Sequence, residues 1–125
     1  MSGWTLGQFK TIADSFLSGC DNEMQEEVVR RLGLLVDKGV ECKMPVSEPI
    51  GDGLFSLHAR SGRIRARLLY YFGENKQIIF VHAFYKATRK ISREDIDIAK
   101  RNRNLIKEGK EKLHGIDFPI QTKSN

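Results

Sequence analysis

Cysteine is scarce in this chain of 125 residues, and its two cysteines, Cys20 and Cys42, form no CxxC pair. Two cysteines so placed provide neither a disulfide framework nor a thiol zinc site. We therefore expect both thiols to be reduced and half-buried. No grouping of His, Cys, Asp and Glu has convincing metal-ligand spacing, so the sequence predicts no metal and no cofactor.

Long apolar runs are also missing. No segment approaches the roughly 20 apolar residues that cross a bilayer as a helix. Residues 1–4 carry neither the basic nor the apolar region of a secretory signal. Residues 51–53, Gly-Asp-Gly, lack the Lys-Ser/Thr and the following helix of a P-loop. These absences predict a cytoplasmic protein with no membrane association and no P-loop nucleotide site.

Acidic residues are nearly absent from the middle of the chain. Residues 53–90 hold eight Lys or Arg and one acid, Glu74, a balance of +7. Residues 1–52 hold five and nine, and residues 91–125 hold eight and six, so the balances −4, +7 and +2 sum to the net charge of +5. A one-sided basic block indicates a polyanionic partner, because Lys and Arg release counterions from phosphates. The block lacks the helical pattern of a membrane-surface segment, so we expect nucleic acid.

The apolar residues suffice for one domain of the α+β class. Helical spacing predicts a first helix that ends at Gly19 and a second that is capped by Asn22 with Gln25 and ends at Gly39. Residues 40–53, rich in Pro and Gly, are interpreted as a linking loop.

Strand-like composition marks four further segments: residues 4–6, 54–60, 64–72 and 77–85. The last three are joined by short turns, which predicts an antiparallel meander. Ser92 caps a final helix over about residues 93–112. From His114 onward no periodicity is visible, and a flexible tail is predicted.

The arginines of the meander alternate with apolar residues, and alternate residues of a strand share a face. The set predicted to face the helical hairpin is Ile64, Ala66, Leu68 and Tyr70. The set predicted on the opposite face is Arg63, Arg65, Arg67 and Leu69, joined by His58 and Arg60 across the hairpin. Such a face suits phosphates, and Tyr71 or Tyr85 offers a ring on which a base can stack. The structural alternative is a solvated face that the acidic first half neutralises, although surface ion pairs contribute little to stability.

Two runs, IGDGLFSLHARSGRIRARLLYYF and QIIFVHAFYKATRKISREDIDIAKRNR, carry a resemblance to a known group of proteins. Their turn, their strands and the segment from Phe84 to Ala99 resemble, in order and spacing, the RelE/ParE toxin superfamily, specifically its HigB-like, phage-derived branch. The similarity spans residues 4–107 and is densest over 51–103. It implies a RelE-like domain over residues 1–113, with an N-terminal helical hairpin on a curved, mainly antiparallel sheet and a C-terminal helix, followed by the tail at 114–125.

The resemblance implies the toxin of a type II toxin–antitoxin system, a ribosome-dependent mRNA endonuclease that inhibits translation without a metal. Such an enzyme orients the RNA, moves two protons and stabilises the extra charge on phosphorus. Arg67 matches the family's strand arginine and Lys86 the first lysine of its lysine pair. The implied partners are a cognate helix-turn-helix antitoxin, the ribosome and mRNA, and operator DNA only through the antitoxin.

Two positions depart from the family's pattern. His58 stands where an arginine is usual, and Ala87 where a second cation is usual. Imidazole suits proton transfer near neutral pH, so His58 joins Arg67 and Lys86 as a catalytic candidate. The RNA-binding candidates are Arg60, Arg63, Arg65, Tyr71, Tyr85, Arg89 and Lys90. The alternative, favoured by Ala87, is a non-catalytic toxin or co-repressor that acts by protein binding, as in ParE-like topoisomerase inhibition.

Other ionisable residues are assigned structural roles. His82, within an apolar strand, is predicted to be half-buried and satisfied by a partner. Five acids are predicted to form a solvated face of the helical hairpin: Glu23, Glu26, Glu27, Glu41 and Glu48.

Overall fold

The computed structural model describes residues 3–86 and 90–118. The elements in chain order are β1 (Thr5–Phe9), α1 (Ile12–Ser18), α2 (Asn22–Lys38), a 3-10 turn (Gly39–Glu41), β2 (Ser47–Gly51), β3 (Leu54–Ser61), β4 (Ile64–Gly73), β5 (Gln77–Lys86), α3 (Arg93–Lys107) and β6 (Leu113–Gly115). They form one six-stranded sheet in the order β2-β3-β4-β5-β1-β6. Every neighbouring pair is antiparallel except β1 and β5, which are parallel. The predicted α+β class and the antiparallel meander are confirmed.

The helical hairpin of α1 and α2 covers one face of the sheet. Leu17 of α1 and Leu32 of α2 are fully buried in one cluster with Leu68 and Tyr70 of β4. Removal of this apolar surface from water stabilises the layer by about 25 cal/mol per Å². The predicted core face of β4 is confirmed for Ala66, Leu68 and Tyr70, but Ile64 is 50% exposed because it lies at the open end of the strand.

The third helix covers much of the opposite face. Leu69 and Tyr71 of β4 lie in a second buried cluster with Val81 of β5 and Ala99 of α3. The β4–β5 register shifts between Leu69 and Tyr70, so Val81 is an extra residue on β5. The buried Asn102 amide donates a 2.8 Å hydrogen bond to the Val81 carbonyl oxygen. Such a bulge re-aims side chains, and beyond it this face carries the cations of β3, β4 and β5.

The ends of the long helices follow local chemistry. Asp21, not Asn22, caps α2: its Oδ1 accepts a 2.8 Å hydrogen bond from the Met24 N–H. Gly39 ends that helix as predicted, with a φ of 55°, and a Cβ there would clash with the indole ring of Trp4. The Ser92 cap of α3 is confirmed by the hydrogen bond that its Oγ accepts from the Asp95 N–H.

Two short strands correct the sequence analysis. Residues 40–53 are not simply a loop, because β2 pairs with β3 at the edge of the sheet, a position that tolerates Pro49. The final helix ends at Lys107 rather than near 112, and β6 then pairs with β1. The predicted tail thus begins inside a strand. Asp14 accepts hydrogen bonds from the backbone N–H groups of Asp117 and Phe118, which hold this segment against α1 as far as residue 118. Residues 119–125 of the predicted tail lie outside the described residues.

Candidate functional site

An open pocket of about 180 Å³ lies between α2, the segment before β2, and strands β3 and β4. Its lining consists of Arg31, Met44, Pro45, His58, Ala59, Arg60, Arg65 and Arg67. His58 lies opposite Arg67 in the β3–β4 register, and Arg60 lies opposite Arg65. The pairing therefore brings four of the predicted site residues to one place. The lining contains no carboxylate, so its electrostatic field attracts anions.

Arg67 is the least exposed of these cations. The sequence predicted it on an open polar face, but its residue is only 5% exposed. One guanidinium nitrogen donates a 3.0 Å hydrogen bond to the Ala66 carbonyl oxygen, while Nε is buried and has no hydrogen-bond partner within residues 3–86 and 90–118. No carboxylate of the described residues forms an ion pair with it. A buried donor left unpaired costs about 1–3 kcal/mol, so this nitrogen is available to a ligand or a water molecule in the pocket.

The surroundings of Arg67 also affect its ionisation. Burial, and then the neighbouring Arg65 guanidinium, lower the pKa of Arg67, while Glu48 opposes them. An arginine remains protonated at neutral pH despite such a shift, since its ordinary pKa is above about 12. The pocket therefore holds a fixed positive charge.

His58 contributes a neutral ring to the pocket. Its side chain is 14% exposed, and its Nε2 lies 3.3 Å from Oε2 of Glu48 on β2. Burial and the charge of Arg67 lower the pKa of His58 below its ordinary value, and Glu48 acts against them. The imidazole is thus neutral at pH 7 and able to accept a proton. The prediction that Glu48 belongs to a solvated face of the helical hairpin is wrong, because Glu48 lies on β2 beside the pocket.

Arg31 is a pocket residue that the sequence analysis missed. Its Nε is 3.0 Å from Oε2 of Glu27, one turn earlier on α2, and its guanidinium also donates to the Pro45 carbonyl oxygen. These contacts hold the side chain at the rim. The Glu27–Arg31 spacing could have predicted an ion pair on a helix. The position of Arg31 beside His58 depends on the packing of α2 against β3, which the sequence pattern does not predict.

Lys86 lies on the same face as these cations but is held by the third helix. It is opposite Arg65 in the β4–β5 register and does not line the pocket. Its Nζ is 3.9 Å from Oδ2 of Asp95, whose Oδ1 lies 2.9 Å from Nε2 of His82. Burial raises the pKa of Asp95, but the hydrogen bonds with His82 and Ser92 and the charge of Lys86 outweigh it, and the net shift is downward. The prediction that His82 is half-buried with a partner is confirmed.

The remaining predicted RNA-binding residues are dispersed. Tyr71 is buried under α3, with Lys107 Nζ 5.5 Å from its ring centre. Tyr85 lies on the opposite face, where its ring contacts Phe16 at 4.8 Å. The hydrogen bond to Cys20, and then burial, raise the pKa of Tyr85 to about 12. Neither ring lines the pocket, which corrects their expected place beside the arginines.

Two more predicted RNA-binding residues lie outside the pocket. Arg63 is exposed in the β3–β4 turn, and Lys90 is exposed before α3. Ala87 and Arg89 lie outside the described residues.

The two cysteines are free, Cys20 buried and Cys42 half-buried. Within residues 3–86 and 90–118, no three His, Cys, Asp or Glu side chains group as metal ligands, and no helix is long and apolar enough to cross a membrane.

Comparison with known proteins identifies the family. No curated protein matches the chain significantly. Residues 15–104, well over half of the chain, match the model of the family described as Phage derived protein Gp49-like (DUF891). The chain therefore belongs to the phage-derived Gp49-like family, which is part of the RelE/ParE-like toxin superfamily.

Proposed function

We propose that the protein is the toxin of a type II toxin–antitoxin pair, of the HigB-like branch, and that it cleaves mRNA on the translating ribosome. The observation that carries this proposal is the buried guanidinium of Arg67, whose Nε lacks a partner among the residues that the structure describes, in a pocket lined by three further arginines and His58. Membership of a toxin superfamily supports the toxin role and an antitoxin partner.

The pocket matches a phosphodiester in charge and geometry. Guanidinium groups make paired hydrogen bonds to phosphate oxygens. Met44, 56% exposed, and Pro45 form an apolar wall against which a base can lie. RNA is the favoured polyanion because it supplies its own nucleophile, the 2′-hydroxyl, next to the phosphate that the arginines would bind.

The proposed reaction needs no metal. His58 accepts the proton of the 2′-hydroxyl, the 2′-oxygen bonds to phosphorus, and Arg67 stabilises the added negative charge. The bond from phosphorus to the 5′-oxygen then breaks, and that oxygen takes a proton from Lys86. The products are a 2′,3′-cyclic phosphate and a 5′-hydroxyl, so atoms and protons balance. Lys86 must leave Asp95 to take this role.

A specific observation favours the second candidate function, a toxin that acts by protein binding as ParE-type relatives do. Lys86 is held near Asp95 and does not line the pocket. In this alternative the basic surface binds a protein target or antitoxin without cutting RNA.

Cleavage mapping separates the two functions. We expect induction of the wild-type protein in translating cells to produce new mRNA ends, detected by primer extension, together with growth arrest. Arg67→Ala should reduce cleavage by about a hundredfold or more, the usual loss for one transition-state electrostatic contact. Arg101→Ala, at an exposed position of α3, is the matched control and should remain active. Growth arrest by Arg67→Ala without new mRNA ends would reject the endonuclease and favour protein binding.

A further inference from the structure

Glu48, on the edge strand β2, is a carboxylate beside the pocket that the reaction proposed above leaves without a role. We infer that Glu48 is a positioning residue for His58, holding the ring in the tautomer protonated at Nε2 and leaving Nδ1 as the proton acceptor. The catalytic part of this inference rests on the proposed function, whereas the tautomer itself does not.

The tautomer follows from the contact between the two side chains. Nε2 of His58 is buried and lies 3.3 Å from the Glu48 carboxylate, in an arrangement not aligned as a hydrogen bond, and it has no other hydrogen-bond partner among the described residues. Even without that alignment, a lone pair on Nε2 lies 3.3 Å from a negatively charged oxygen and is repelled by it, whereas the positive end of an N–H bond there is attracted. The proton therefore belongs on Nε2, and the lone pair on Nδ1.

The backbone of β2 holds Glu48 in place. Glu48 is paired with Ser56, two residues before His58, which makes Glu48 and His58 diagonal neighbours on one face. The register is fixed by the hydrogen bond from the His58 N–H to the Val46 carbonyl oxygen, 2.8 Å long. Directly before Glu48, a buried hydrogen bond also joins the hydroxyls of Ser47 and Tyr70. The carboxylate is thus placed by the sheet rather than by a mobile loop.

Charge gives Glu48 a second effect on the same ring. His58 is faced by Arg67 from β4, Arg31 from α2 and Glu48 from β2, and Glu48 is the one anion among them. Both arginines disfavour the imidazolium that forms when His58 accepts a proton. Glu48 favours it, as the carboxylate partner of a catalytic histidine does when it orients the ring and stabilises its charged form. Without Glu48, we expect a ring in mixed tautomers with a still lower affinity for protons.

The test uses Glu48→Gln, with Glu41→Gln at an exposed site of the 3-10 turn as the matched control. Nitrogen-15 NMR of the histidine ring across pH reports its tautomer and its pKa directly. We expect His58 of the wild type to be protonated at Nε2 when neutral. In Glu48→Gln that tautomer should lose its dominance and the His58 pKa should fall, whereas Glu41→Gln should match the wild type. Circular dichroism and thermal unfolding show whether each variant is folded.

Cleavage of mRNA in a purified translation system supplies the catalytic readout. We expect Glu48→Gln to lower kcat about tenfold or more, with its acid limb displaced to lower pH and KM little changed. Unaltered kcat and acid limb in a folded Glu48→Gln protein would overturn the inference while leaving the proposed function intact.

Absence of cleavage by the wild type would reject the proposed function, and with it the catalytic role of Glu48, but not the tautomer. The NMR result then decides what remains of the inference. A neutral His58 protonated at Nδ1, or an unchanged tautomer in Glu48→Gln, would overturn it. Protonation at Nε2 that depends on Glu48 would support it.

Discussion

Arg67 combines two properties that oppose each other: it is almost fully buried, and its guanidinium has no carboxylate within ion-pair distance in the described part of the chain. Such a group disfavours the folded state, because its desolvation is not repaid by an opposite charge. Proteins keep arrangements of this kind at sites where a ligand supplies the missing contact. Stability and function should therefore respond in opposite directions to its removal.

Arg67→Met tests that opposition, since methionine is long and flexible but uncharged. We expect the free energy of unfolding to rise by about 1 kcal/mol, measured by urea denaturation, while RNA cleavage is lost. Arg101→Met, at an exposed position, should change the free energy of unfolding by less than about 0.5 kcal/mol. A loss of more than about 1 kcal/mol in Arg67→Met would show that the native contacts of Arg67 outweigh its desolvation.

At the scale of elements, the N-terminus of α3 is joined to β5 by one carboxylate. Asp95 receives the Ser92 hydroxyl hydrogen bond at Oδ2 and the His82 contact at Oδ1. It also lies in the first turn, where a negative charge interacts favourably with the helix dipole. Because its pKa is lowered in the folded state, Asp95 adds stability above its ordinary pKa of 3.8, and this stability is lost as pH falls through the folded pKa.

Asp95→Asn should therefore reduce the free energy of unfolding by about 1 kcal/mol at pH 7. The difference from the wild type should shrink below about pH 4, because the carboxyl of the unfolded wild type is protonated first and that of the folded protein only at still lower pH. Asp97→Asn, exposed on the same helix, is the control and should have little effect at either pH. A difference that stayed constant from pH 7 to pH 3 would show that the charge of Asp95 is not what stabilises α3.

The elements also show how far the sequence could lead. Alternation along β4 predicted correctly that Arg65 and Arg67 share a face, because strand periodicity depends only on local geometry. It could not predict that α3 covers most of that face, since the apolar stripe of α3 is thin and a buried Asn102 completes the contact. β2 was missed because Pro49 and Gly51 are typical of loops, and its pairing with β3 is a tertiary event. Arg31 and Glu48 were missed as site residues for the same reason.

At the scale of the whole molecule, the uneven distribution of charge along the sequence places an acidic surface next to a basic one. The acids of α2 are concentrated near the β3–β4 turn, where Glu23, Glu26 and Glu27 line a separate pocket with Arg60. The arginine pocket, which is lined by Arg31, Arg60, Arg65 and Arg67, lies beside this acidic pocket and shares Arg60 with it. A polyanion therefore meets an attractive region bordered by a repulsive one, which favours a single binding path across the sheet end.

Binding of single-stranded RNA should accordingly be steeply dependent on salt. If the pocket engages three or four phosphates, the logarithm of affinity should fall against the logarithm of salt concentration with a slope of about −2 to −3. Arg67→Met should weaken binding and reduce the slope by about 0.7, whereas Arg101→Met should leave it unchanged. Titrations by fluorescence anisotropy between low and moderate salt provide the measurement. An affinity independent of ionic strength would show that the arginines do not bind phosphates.

The strand order has a consequence for how the protein is made. β1 leaves the ribosome early, yet both of its neighbours follow much later, since Thr5 is paired with Gln77 and Gly7 with Gly115. During synthesis β1 cannot pair with β5 or β6 until these strands have been made, whereas β3 and β4 can pair through their short turn as soon as both have emerged. The arginine pocket belongs to that early hairpin and to α2, at the other side of the sheet. The nascent chain can therefore form the walls of the arginine pocket before β1 has paired with either of its neighbours.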